Sequence, residues 1–265
     1  MKKILPLLLL AASTAVHAQI KVISQAVITT KTTIVSPEGD EDNAPTPPPA
    51  ADGEQRVMLR FGGDGETKTV TTLKGDLVKT FSESEMGRTT TLRDNGKKIT
   101  TTLMEMMGNK TGFYQTDEEQ EAMRKQMDSM MQSRNQGNNI FASTPPTSTI
   151  SYVEETKKIA GQQCKKALVI TTRANAKKDT SIVWYCPDFK LQGIVSTGGM
   201  SGFGGFGRST SLTGLNDLNG FPMQYEMTMG RGRKMIVEVT KLVIDKEVAD
   251  KEFEIPKDFV VKPMK

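Results

Sequence analysis

Apolar and polar positions alternate along most of this chain, with short breaks. Residues 20–35, IKVISQAVITTKTTIV, are rich in Val, Ile and Thr and predict one long first strand. Shorter runs follow at 56–61, 67–73 and 76–82, separated by glycine-containing turns. Residues 88–93 and 97–104 flank Asp94-Asn95-Gly96, and Asn-Gly between two alternating runs predicts a hairpin. Threonines at 89–91 and 100–102 suit a pleated, half-wet surface. In the second half, residues 152–159, 165–172, 180–185, 221–229, 234–243 and 253–261 read as further strands. Hairpins this closely spaced predict a meandering antiparallel sheet.

The period changes once. Thr116 followed by Glu119 is a capping box, and Asp117, Glu118 and Glu119 place negative charge at the positive end of a helix dipole. At about 100° per residue, Met123, Met127, Met130 and Met131 fall in one stripe, with Glu121 and Lys125 paired on the wet side. Gly137 is a plausible stop. Together with Met104, Met106 and Met107, this places seven methionines between Leu103 and Met131. The segment reads as a strand, a turn and one amphipathic helix that covers the sheet.

Composition adds a compartment. Lys2, Lys3, the apolar run 4–12 and Val16-His17-Ala18 have the order of a secretory signal, with cleavage expected after Ala18. The apolar run is too short for a stable membrane anchor. No other segment is apolar enough to cross a bilayer, so the expected location is the periplasm. The rest, 19–265, reads as a single β-rich domain. Its flexible loops are expected at 36–55, which is acidic and proline-rich, at 133–149, and at the Gly/Ser-rich 192–213.

Removing the signal removes His17, the only histidine, and lowers the formal charge from +4 to +2 as Lys2 and Lys3 leave. A bias that weak does not point to nucleic acid. Without histidine, neither a Ser-His nor a Cys-His pair can form. Gly-x-Ser-x-Gly and Ser-x-x-Lys are also missing, so an enzyme is not expected. Gly202-x-Gly204-x-x-Gly207 matches a dinucleotide fingerprint in letters alone, since no helical pattern follows it. No cofactor and no metal ligand set is expected. Cys164 and Cys186 predict a disulfide: a hairpin register in which paired numbers sum to 350 sets Leu168 against Ile182 and one thiol against the other.

The methionines have three readings. They fill an irregular core, line a site for apolar ligands, or bind Cu(I) through thioethers. Met104 and Met106 share a strand face while Met107 points away, which weakens a preformed copper site.

Several pieces together resemble a family. Gly87-Arg-Thr-Thr-Thr-Leu, Leu103-Met-Glu-Met-Met-Gly, Gly161-Gln-Gln-Cys-Lys-Lys-Ala, Val183-Trp-Tyr, Gly220-Phe-Pro-Met-Gln-Tyr-Glu-Met and Phe253-Glu-Ile-Pro resemble an exported bacterial domain of unknown function, DUF4412. That family is similar in turn to the LolA-like lipoprotein-carrier group. The resemblance implies an α+β, mainly β fold: a curved antiparallel sheet forming an unclosed barrel, its concave face covered by helix. It also implies a carrier for a lipid or lipoprotein acyl chain or other apolar small molecule, with possible transient membrane contact. The expected lining is Leu103, Met104, Met106, Phe113, Met123, Met127, Met130 and Met131. A structural envelope module with a solid core is the alternative to both the carrier and the copper site.

Overall fold

Threonine-rich alternation builds a sheet that curls without closing. The computed structural model describes residues 20–36, 65–84, 87–134, 147–172, 178–192, 214–228, 232–244 and 246–264, apart from some helix side chains. The signal segment, the strand expected at 56–61 and the Gly202–Gly207 motif lie outside the described residues, as do most of the three expected loops.

The strands of the first half are β1 (Lys21–Ile23), β2 (Gln25–Val35), β3 (Gly65–Lys74), β4 (Leu77–Ser84), β5 (Gly87–Asp94), β6 (Ile99–Met106) and β7 (Asn109–Thr116). Helix α1 (Asp117–Arg134) follows. The second half holds β8 (Thr147–Ile159), β9 (Gln162–Thr172), β10 (Lys178–Cys186), β11 (Phe189–Leu191), β12 (Phe221–Thr228), β13 (Lys234–Ile244) and β14 (Val261–Pro263).

Twelve strands form one sheet in the order β14-β7-β6-β5-β4-β3-β2-β13-β12-β10-β9-β8. The chain starts at the middle with β2 and walks outward by hairpins to β7. After α1 it re-enters at the far edge with β8 and works back to β13, which pairs with β2. Among the described strands of this sheet, every pairing is antiparallel except that of β14 with β7. The result is a mostly β molecule with one described helix and a large, curved, unclosed sheet.

Three elements depart from the pattern-based expectation. The long first strand breaks at Ser24, because residues 21–23 leave the large sheet and pair in parallel with β11. β7 occupies part of the segment read as a turn before the helix. It is set up by Met107 and Gly108, whose φ angles of 49° and 80° make the two-residue hairpin turn that matches strand twist. The strand expected at 253–261 is instead a 3-10 turn, Asp250–Phe253, then irregular chain, with only Val261–Pro263 in a strand.

The helix starts as expected. The Glu119 N–H donates to Thr116 Oγ1 at 3.2 Å, and the Thr116 N–H donates to Glu119 Oε2 at 2.8 Å. The described helix reaches Arg134, and β8 begins at Thr147, which trims the expected 133–149 loop at both ends.

The main core lies on one face of the sheet, around β2, β13, β12, β10 and β9. It includes Ile28, Val237, Val239, Met223, Tyr225, Val183 and Val169, closed over by Ile23, Phe189, Leu191, Leu215 and Leu218. Among the described residues, its methionines are Met223, Met227 and Met235. Met227 pairs directly with Met235 across β12 and β13.

The hairpin register of β9 and β10 is the expected one, with Ile182 opposite Leu168. The disulfide is not present. Cys164 and Cys186 are both buried free thiols, and Cys164 Sγ donates to the Gln162 carbonyl at 3.5 Å. The β9–β10 ladder ends one step earlier, at Tyr185 and Lys165, and Cys186 pairs with Phe221 on its other side. Cβ atoms directly opposite in such a ladder lie about 4.5–5.5 Å apart, beyond the roughly 3.8 Å mean of a bridge.

Candidate functional site

The two faces of the β3–β7 wing follow from register. One cross-strand row reads Val70, Phe81, Thr90, Leu103, Gly112 and Val261. The next row, two residues along each strand, reads Thr72, Lys79, Leu92, Thr101 and Tyr114. Side chains two apart share a face, so these rows form one surface. The opposite surface, continuous with the main core, carries the rows Thr71, Thr80, Thr91, Thr102, Phe113 and Thr69, Ser82, Thr89, Met104, Thr111.

The C-terminal segment crosses the first surface as a strap. Val248 anchors one end: it is buried, and its N–H donates to Gln25 Oε1 at 3.0 Å. Lys74 pairs with Asp250 at 2.6 Å, Lys79 with Glu252 at 3.3 Å, and Lys110 with Asp258. β14 then adds to the edge of β7, and the Met264 N–H donates to the Tyr114 carbonyl at 3.0 Å. Where Leu103, Gly112 and Val261 meet there is no spare room. A Cβ added at Gly112 falls 2.9 Å from Val261 Cγ2 and 3.0 Å from Leu103 Cδ2. Leu103 is 2% exposed yet lies outside the main core cluster, because the strap covers it from the other side of the sheet.

Between strap and sheet is a cavity of about 390 Å³, lined by Val70, Phe81, Leu92 and Leu103 below and by Glu252, Glu254 and Pro256 above. Thr72, Thr90 and Lys79 complete the lining. The size falls in the range of roughly 300–1,000 Å³ usual for small-molecule sites. Chemically it offers an apolar floor, two hydroxyls and a charged mouth.

Of the eight residues expected to line a site, this cavity contains Leu103 alone. Met104, Met106 and Phe113 sit at register positions on the opposite face, since they alternate with Leu103 or pair across it. Met123 is half-buried and Met130 is 57% exposed. The side chains of Met127 and Met131 lie outside the described ones. Met107 caps the β6–β7 turn and is 95% exposed. Pattern reading missed Val70, Phe81, Leu92, Lys79 and the strap, which lie far apart in sequence. The signal for the floor was present, since each apolar residue holds an alternate position in its own strand. Nothing in the strap's sequence marked it as a cover.

Neither a family model nor a curated protein matches the sequence. Among solved structures, the chain is similar to PNGF-II in two crystal forms, with a TM-score of 0.36 in each and identities of 15% and 16%. The match covers 90% and 91% of this chain but 31% and 32% of PNGF-II, so the chain spans about a third of that protein's length. It is also similar to a domain from Vibrio parahaemolyticus named for outer membrane lipoprotein sorting. There the TM-score is 0.30 at 10% identity, covering 87% of this chain and 89% of the other. The likeness to DUF4412 rests on the quoted residues.

Proposed function

We propose that this chain is an exported, non-enzymatic binding or carrier protein for a lipid acyl chain or similar apolar ligand. The ligand lies in the cavity beneath the C-terminal strap. One observation carries the reading: a cavity of about 390 Å³ whose floor is Val70, Phe81, Leu92 and Leu103, with Glu252, Glu254 and Pro256 of the strap across it. An alkyl chain entering it leaves water at about 0.8 kcal/mol per buried methylene. Between its anchors at Val248 and β14 the strap is held by ion pairs with exposed partners, each worth little, and it lies outside the main core. The charged, apolar and small-residue order of residues 1–18 supports export to the periplasm.

The test is displacement of a fluorescent fatty acid, with native mass spectrometry of protein recovered from periplasm. Saturable binding lost in Thr90→Trp, and weakened in the milder Leu92→Phe, supports this site. A ligand-free mass together with no probe binding sinks the carrier reading.

A further inference from the structure

We infer that the occupant of this cavity is a single-chain amphiphile with a cationic polar end. The inference rests on the binding role proposed above and names the ligand class for the same site. Three charged residues line the cavity: Lys79, Glu252 and Glu254. Lys79 is already committed to Glu252, at 3.3 Å. Glu254 is exposed and makes no ion pair among the described residues. Two carboxylates therefore face one ammonium, and one negative charge is left over at the mouth.

Lys251 and Lys257 of the strap are exposed and outside the lining, so the balance holds for the groups that line the cavity. Two residues along each strand from the row of Val70, Phe81, Thr90, Leu103 and Gly112 runs a row of charges: Lys68, Glu83, Arg88, Glu105 and Lys110. Signs alternate along it. Arg88 bonds Glu83 at 2.8 Å, and Lys110 is taken by Asp258 of the strap. With Asp258 counted, three positive and three negative groups cancel. Beyond Lys79, the Lys74–Asp250 pair is neutral too.

The geometry thus sets an apolar floor and an acidic rim on one cavity. An alkylammonium can place its chain on Phe81, Leu92 and Leu103 and its head by Glu254, leaving the Lys79–Glu252 pair intact. A carboxylate or phosphate head must break that pair, then sit beside two carboxylates. Glu252 and Glu254 are both exposed, so the preference is modest and salt-sensitive.

The experiment compares three twelve-carbon probes below their micelle concentrations, each displacing the same neutral fluorescent reporter: dodecyltrimethylammonium, dodecyl maltoside and dodecanoate. At low ionic strength the ammonium is expected to bind about fivefold more tightly than dodecanoate, the scale of one exposed ion pair, and the ratio shrinks in high salt. Glu254→Gln is expected to remove most of that ratio, read as ammonium against dodecanoate on the same protein. Dodecanoate binding as tightly as the ammonium, or a ratio untouched by Glu254→Gln, overturns the inference and leaves the binding role standing. Failure of all three probes overturns the binding role and this inference together.

Discussion

The Arg93 guanidinium on β5 grips the carboxylate of Asp117, the first residue of α1. Arg93 Nη2 donates to Asp117 Oδ2 at 2.8 Å, and Nη1 donates to the other oxygen. Arg93 is also held by Asn95 at 3.0 Å and by Thr100 at 3.2 Å, so its fork is positioned before it meets the helix. The Asp117 N–H donates to the Lys98 carbonyl at 3.1 Å, fixing the backbone at the same point. A hairpin thus sets where the helix leaves the sheet, and the pair sits where the helix dipole favours an acid.

Arg93→Ala should loosen that junction. The Arg93 side chain is 14% exposed and that of Asp117 is 42% exposed, so the loss is expected at about 1 kcal/mol by urea denaturation at pH 7, after allowance for solvent screening. The hydrogen bonds and charge of Arg93 hold the Asp117 carboxyl below the usual carboxylate range. A lowered folded-state pKa contributes stability above the unfolded value and loses it as pH falls through the folded one. The gap between wild type and Arg93→Ala should therefore close on acidification below the ordinary Asp range. A gap that is constant down to strong acid would refute the assignment.

Gly112→Ala should displace the strap. Its new methyl would meet Val261 at 2.9 Å and Leu103 at 3.0 Å, and overpacking of this kind costs about 1–3 kcal/mol. Because β14 is a three-residue edge strand, it should give way before β6 does. Hydrogen exchange is the readout: the amides of Val261, Lys262 and Met264 should exchange faster while those of β2 and β13 stay protected. Uniform loss of protection would mean the row is not a local hinge.

Met107 occupies a backbone conformation that methionine rarely adopts, at φ 49°, and is 95% exposed. Met107→Asn or Met107→Gly should therefore stabilise the protein by up to about 1 kcal/mol, since both residues tolerate the left-handed region better. Chemical denaturation that shows a loss instead would assign Met107 a contact of its own.

The thiols should be sluggish. Burial, with the nearby Cys186 and despite a hydrogen bond from the Ile159 backbone, pushes the Cys164 thiol up to about 11, and burial raises Cys186 as well. The thiolate is the reactive form, so in reduced protein at pH 8 an aromatic disulfide reagent should label both cysteines slowly when folded and promptly in denaturant. Prompt labelling of the folded protein would contradict their placement in the core.

Local patterns carried much of this structure. The capping box of Thr116 and Glu119, the register around Leu168 and Ile182, and the hairpin at Asn95-Gly96 each depend on neighbours a few residues away, which a sequence displays directly. The hairpin's turn is longer than Asn-Gly alone suggested, since Asp94 pairs with Ile99 and Lys98 takes the left-handed conformation at φ 56°. The methionine cluster shows the limit of such patterns. Abundance at helical spacing marks a stripe, but not the partner that buries it, and among the described residues the buried methionines are Met223, Met227 and Met235 on alternating strand positions.

By itself the sequence determined the β-rich class, the start of α1 and the alternate faces of each strand, because these follow from backbone sterics and short-range hydrogen bonding. Tertiary structure decided which face of the β3–β7 wing is covered, and by what. Val70, Phe81 and Leu103 reach Glu252 and Pro256 only after more than a hundred intervening residues have folded the sheet and brought the C-terminal segment back across it. Such a contact is a property of the closed chain, set by edge pairing at β14 and a few ion pairs, and no local window contains it.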